Sequence, residues 1–445
     1  MAETHELTYT TPSATSHQQS DHEDELIAPV LPPMDRGKGA YTALACSTIA
    51  QAPIWGFSVS FGIFQEYYSS HLGSSPGSIA TIGALQMGIM YLMMPPAFFV
   101  LTRYPIARRY CAPLGLLLTT ISIASSAFVT SVDRLIATQG ALYALGCGLI
   151  FCPVSLAMDE WFSQRKGFAY GVMWAGKSTT GVVLPFLFDV LLKKIGLKAT
   201  LLSWAGASAL MLCPTLFYLN PRVPIQQRDS PTMSFRFLRY PVFWMMQSGI
   251  IIQALGYLMP TTYLATYASD IGLPSISGPV LLALFSIASV PGGIFHGMIG
   301  DKMSATRVIL ISSLGSAVPI FLLWGLSKHM ANLVVFVMLY GFFAGGFSST
   351  WSSMVKEIQR EDTSPDASLL FGLLLGGRGV GFVLGGPISG ALLGNEGLIS
   401  HGQIGYATKY GPMILCTGIT SVFGAWAAIW KLGKTYAHRV THCIH

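Results

Sequence analysis

Two basic residues stand where basic residues are costly. Lys177 and Arg378 each lie inside a run of about 20 apolar residues, the length that crosses a ~30 Å hydrocarbon layer as a helix. A cation at the centre of such a layer costs at least ~2.5–3.5 kcal/mol, so it normally faces a cavity or a partner. Their surroundings match. Gly171-Val-Met-Trp-Ala-Gly176-Lys177 parallels Gly372-Leu-Leu-Leu-Gly-Gly377-Arg378, with equivalent positions 201 residues apart and a proline following each cation, at Pro185 and Pro387. Matched sites in two halves of a chain point to a parallel internal repeat that encloses a site near the bilayer midplane. The chemistry on offer is recognition of an anionic or strongly polar solute: Arg brings a planar fork suited to carboxylate, Lys a compact charge. The structural alternative is that both cations neutralise acids or cap helix-end carbonyls. Acids within the apolar runs are scarce, and the nearest, Glu66 and Asp189, fall towards span ends. That favours recognition.

Further candidates surround this pair. Gln51 and Trp55, at i and i+4, share one helix face. Tyr263, flanked by Tyr257 and Tyr267, and Trp351 are candidates for an aromatic cavity wall. The expected substrate-binding set is therefore Arg378, Lys177, Gln51, Trp55, Tyr263 and Trp351. Tyr67, Tyr68, Trp161 and Trp430 read instead as members of interfacial belts. Gln86, Gln139, Gln247 and Gln253 read as hydrogen bonders between helices as readily as substrate contacts. His296 is the candidate proton-linked residue, since imidazole titrates near neutral pH. No Walker loop, His-Glu-x-x-His or Gly-x-Ser-x-Gly signature occurs, so no catalytic residue, cofactor or metal site is expected. The glycines of 372–390 follow no strand, and they read as a packing surface within the membrane. The seven Cys are scattered, mostly within apolar runs, and read as buried free thiols.

Positioning these side chains requires a helical membrane bundle. Of 445 residues, 52% are hydrophobic and only 10% charged, against roughly 25% charged in a soluble domain. Hydropathy places spans near 40–64, 78–101, 111–131, 135–158, 167–190, 199–219, 241–267, 277–299, 307–327, 332–355, 368–393 and 411–431. The expected fold is an all-α membrane protein with twelve transmembrane helices in two pseudo-symmetric six-helix halves. Its expected parts are a disordered cytoplasmic tail (1–38), an N-terminal bundle (39–219), a cytoplasmic linker (220–240), a C-terminal bundle (241–432) and a second tail (433–445). The tail before the first span has no apolar region of the signal-peptide kind. With both termini cytoplasmic, eighteen Lys and Arg lie on the inner side and six on the outer, a positive-inside bias. The net charge of +6 forms no basic stripe for nucleic acid.

Several stretches resemble the major facilitator superfamily, and within it the monocarboxylate-porter-like branch common in fungi. They are Trp55 to Tyr68; Trp161-Phe162-Ser-Gln-Arg165-Lys166-Gly167 continuing through Gly171, Gly176 and Gly181; Gly385-Gly386-Pro387-Ile-Ser-Gly390; and the loop Gly297-Met-Ile-Gly-Asp301-Lys302. A degenerate counterpart of that loop is Arg103-Tyr-Pro-Ile-Ala-Arg108-Arg109. The likeness covers about residues 38–435. It implies alternating access by two rocking halves around a midplane cavity, with Asp159, Arg165, Asp301 and Lys302 as gating or structural charges. Three positions depart from the animal lactate and pyruvate transporters: Val59, Ser289 and Gly293 stand where those proteins carry a Lys, an Asp and an Arg. Proton-coupled lactate transport is therefore not implied. Carriage of a small organic anion or polar metabolite, by uniport or proton symport, is the expected activity. Export of a secondary metabolite or drug-like compound is the nearest alternative, and a non-transporting nutrient receptor is another class. A monomer in the plasma membrane is expected, binding a small-molecule substrate and lipid.

Overall fold

The computed structural model describes residues 32–72, 75–163, 166–222, 235–361, 367–394, 405–428 and 430. Most of the N-terminal tail, linker residues 223–234 and the C-terminal tail lie outside the described residues, as does Arg165.

Every apolar segment read from the sequence is helical, and the breaks fall where backbone chemistry puts them. α1 (Lys38–Val59) passes through Ser60 into α2 (Phe61–His71). α3 (Pro76–Leu92) bends at Met93 into α4 (Met94–Arg103), because Pro95 and Pro96 have no amide hydrogen to continue the ladder. α5 (Arg108–Ser126) leads to α6 (Val132–Leu135), a π-helical stretch at Ile136–Leu142 and α7 (Tyr143–Trp161). α8 (Lys166–Tyr218) is two helices joined at Gly196. With φ 77°, that residue turns the chain in the region where only glycine is unstrained. The second half runs α9 (Pro241–Asp270), α10 (Ser277–Lys302), α11 (Ala305–Pro319) with a π-helical end, α12 (Met330–Gly346), α13 (Trp351–Glu361), α14 (Ala367–Gly394) and α15 (Gly411–Phe423). Among the described residues, eight helices are long and apolar enough to cross a bilayer on their own.

The halves meet along three seams: α3 against α14, α8 against α10, and α2 against α9. Small residues set the approach, as membrane helices require. A Cβ on Gly77 would collide with the backbone of Gly390, and one on Gly88 would meet the amide nitrogen of Val383 at 2.9 Å. A Cβ on Gly62 would lie 2.6 Å from the Thr261 carbonyl oxygen. Gly176 abuts the Thr48 carbonyl and Gly181 abuts Ser286, but nothing lies within 4 Å of a Cβ on Gly171. Only two of those three glycines serve close approach.

Two other expectations are corrected. Tyr68 and Trp161 are buried and not part of an interfacial belt: Tyr68 exchanges hydrogen bonds with Gln139, and the Trp161 indole donates to the Asn220 carbonyl at 2.9 Å. Cys213 is exposed, because it faces outward on α8. The segment before α1 also has a fixed seat. The Asp35 amide donates to the Trp161 carbonyl at 2.9 Å, the Asp35 carboxylate accepts from the Ser163 amide at 3.1 Å, and Arg222 Nε donates to the Pro32 carbonyl at 2.8 Å.

Candidate functional site

Lys177 extends from α8 and lies over the rings of Trp55, at 4.6 Å from the centroid, and Trp174, at 5.4 Å. Arg378 extends from α14, where its guanidinium lies over Tyr257 at 4.2 Å, Phe382 at 5.0 Å and Trp351 at 5.3 Å. Arg378 is 3% exposed. Its Nη1 donates a long bond, 3.4 Å, to Gln253 Oε1, and its Nε has no hydrogen-bond partner among the described residues. Neither cation forms an ion pair with a carboxylate among the described residues. Aromatic faces therefore do what acids would otherwise do. A desolvated cation–π contact returns ~2 kcal/mol, enough to offset part of the burial cost without neutralising the charge.

The two boxes join through Tyr91 of α3. Its ring lies 5.3 Å from Trp55 within its own half, and 5.4 Å from Phe382 and 6.4 Å from Trp351 in the other half. Phe151 adds an edge contact to Trp55 at 5.6 Å. The structure thus brings together Lys177, Trp55, Trp351 and Arg378 from the expected set, and adds Trp174, Tyr91, Phe382 and Tyr257. Gln51 is buried beside them on α1: its Nε2 donates to the Ser47 carbonyl at 3.0 Å, and its Oε1 is unpartnered. Tyr263 is elsewhere. It sits in a separate apolar cluster, near the Tyr410 ring at 6.4 Å and the Ser389 hydroxyl at 3.2 Å. Tyr91, Trp174 and Phe382 sit in apolar runs where any aromatic reads as core packing, and the pattern offered no signal for them beyond Trp174 lying three residues before Lys177.

His296 is fully buried on α10 against α12. Its Nδ1 donates to the Gly292 carbonyl at 2.7 Å, and its ring packs between Phe295, Phe342 and Phe343. Among the expected gating charges, Asp159 accepts from the Tyr170 hydroxyl at 3.0 Å. Its neighbour Glu160 pairs with Arg108 at 2.6 Å and accepts from the Arg222 amide at 3.2 Å. Lys302 is exposed, Asp301 is helical with its side chain undescribed, and Arg165 lies outside the described residues. At the opposite end, polar contacts tie the halves: Ser269 donates to Glu66, and Lys193, paired with Asp189 at 2.8 Å, donates to Ser275 at 3.2 Å. Asp270 in turn pairs with Lys409 at 2.9 Å and accepts from the Tyr410 hydroxyl at 2.6 Å. A groove of about 720 Å³ lined by Lys38, Tyr41, Ile49 and Tyr218 lies on the outer flank of α1, and neither central cation lines it.

A family model of the Major Facilitator Superfamily matches residues 49–295 and 275–441. The chain belongs to this superfamily. Among its curated relatives is the MFS-type transporter pynF of Aspergillus niger, 26% identical over 415 residues, covering 90% of this chain and 92% of that protein. Monocarboxylate transporter 10 of Danio rerio is 26% identical over 424 residues, covering 90% and 79%. The agnestins efflux protein AgnL12 of Paecilomyces divaricatus is 22% identical over 380 residues, covering 85% and 83%. The solved nucleoside transporter NupG shares the fold, with a TM-score of 0.66 at 14% identity over 88% of this chain and 98% of that one. The chain is thus a multi-pass membrane transporter whose relatives span fungal carriers and a monocarboxylate transporter.

Proposed function

We propose that the chain carries an organic anion across the membrane by alternating access, with Lys177 and Arg378 reading the substrate's negative charge. The observation behind this reading is that both cations are held by aromatic faces and not by acids. Neither is paired with a carboxylate among the described residues, and the pair belongs one to each half, so an anion between them would bond to both halves at once. Removing water from such a site strengthens the attraction, since charges interact more strongly in low dielectric. The polar contacts of Glu66 with Ser269 and of Lys193 with Ser275 fit a bundle closed at that end. With the termini in the cytoplasm, as the distribution of Lys and Arg suggests, the closed end faces outward; both access states belong to the cycle, and the solute or ion gradient sets the direction of net transport. The carrier works as a monomer in the plasma membrane. Uniport and proton symport both remain compatible with these residues.

A second reading has its own support: efflux of a neutral, ring-bearing metabolite, given that one relative is named as an efflux protein and that the centre is walled by rings. Arg378→Ala separates the two. The test is efflux from cells expressing the full chain, profiled against a metabolite panel, with the variant matched for membrane abundance. The anion reading expects the variant to lose nearly all transport of the acidic compound the parent moves. Undiminished transport by the variant would overturn it in favour of the neutral cargo.

A further inference from the structure

Three hydrogen-bond donors at the centre have no partner among the described residues. They are Trp55 Nε1, Trp351 Nε1 and Arg378 Nε, each on a residue more than nine-tenths buried. A buried donor left unmade costs about 1–3 kcal/mol, so three in one cluster point to something that completes them. These three donors come from both halves, and beside them Gln51 Oε1 is an acceptor unpartnered among the described residues. The complement is a group with acceptor oxygens on more than one side and room for a hydroxyl that donates to Gln51. The walls are flat: Trp55, Trp174, Tyr91, Tyr257, Trp351 and Phe382. Tyr91 touches Phe382 and Trp351 at steep interplanar angles of 76° and 82°. These contacts join the two halves, so they part when the halves rock and leave ring faces without neighbours.

We infer that the transported anion is a flat conjugated acid, a carboxylate or phenolate carried on a ring system. Its oxygens accept from Arg378 and from the indole N–H groups of Trp55 and Trp351. Its ring lies against Tyr91 and replaces the ring contacts that separate as the halves move apart. A saturated acid of equal size offers the same oxygens but no π face, and loses the ring–ring attraction, about 0.5–1.5 kcal/mol for each contact. This inference rests on the organic-anion reading, and narrows it.

The test uses the full chain in lipid nanodiscs and titration calorimetry with 2-naphthoate and decalin-2-carboxylate. Both carry one carboxylate on the same fused carbon skeleton, and only the first is aromatic. Naphthoate should bind at least ~10-fold more tightly. Trp351→Phe and Trp55→Phe, which keep a ring and delete the donor, should each weaken both acids about fivefold or more while the preference for naphthoate persists. Equal affinity for the two acids, or unchanged affinity in both variants, overturns the inference. If Arg378→Ala still abolishes binding in that case, the organic-anion reading stands without it. Absence of naphthoate binding also overturns it. Binding of methyl 2-naphthoate, the neutral ester, in its place overturns the anion reading as well.

Discussion

Replacing Arg378 with Met gives the sharpest separation between a residue kept for the fold and one kept for the substrate. The guanidinium is buried, lies over three rings at 4.2–5.3 Å and donates one long hydrogen bond to Gln253. Placing a basic side chain at this depth costs ~3 kcal/mol, and its ring contacts taken together return ~2 kcal/mol or more once desolvated. The difference leaves the unliganded protein at most about 1 kcal/mol worse off than with an apolar side chain of similar length. Met fills the volume and packs well against rings. Arg378→Met is therefore expected to leave the empty protein as stable as the parent, or more stable by up to ~1 kcal/mol. With an anion bound the sign reverses, because truncating one partner of a desolvated charge pair costs about 2–5 kcal/mol. At ~1.4 kcal/mol per decade, affinity falls by roughly 30-fold or more. Thermal unfolding of the purified, unliganded protein reads the first quantity, and the concentration dependence of transport in proteoliposomes reads the second. A variant that melts several degrees lower, and whose transport falls only in proportion to its folded fraction, would refute the reasoning and make Arg378 a structural residue.

Three other outcomes are expected. Lys177→Arg should keep measurable anion transport, because a second cation still rests on Trp55 and Trp174, whereas Lys177→Met should reduce it at least ~10-fold; concentration-dependent uptake distinguishes them. Gly88→Val drives a branched side chain into the Val383 backbone of the facing helix and should abolish transport and lower the yield of folded protein, as read by size-exclusion profiles in detergent. Ser269→Ala removes a hydrogen bond that Glu66 accepts across the halves. It should shift the equilibrium between the two access states by about 1 kcal/mol, seen as a several-fold rise in thiol labelling of a cysteine placed at Thr262.

The order in which the protein can be read follows from the range of the forces involved. Chain composition and hydropathy determine the helical membrane architecture, because a bilayer leaves backbone amides no partner except their own helix. The same logic singles out Lys177 and Arg378: a charge among apolar residues is conspicuous without knowing any neighbour, and so is its repetition 201 residues later. Aromatic residues are different. Trp55 and Trp351 drew notice as polar-tipped rings, but Tyr91 and Phe382 look like any apolar core residue until the approach of α3 to α14 puts them between the two cations. Tyr263, chosen from the same helix as Tyr257, falls into a separate cluster. The sequence alone could not choose between the two tyrosines, because their roles depend on which helix crosses α9 at each level. Likewise, Glu160 answers to Arg108, from a residue 52 positions away. The sequence by itself decided that the chain crosses a bilayer and carries two unexplained charges. Only the packed helices decided what surrounds those charges, since contacts between distant segments are set by side-chain fit at crossings that no local pattern encodes.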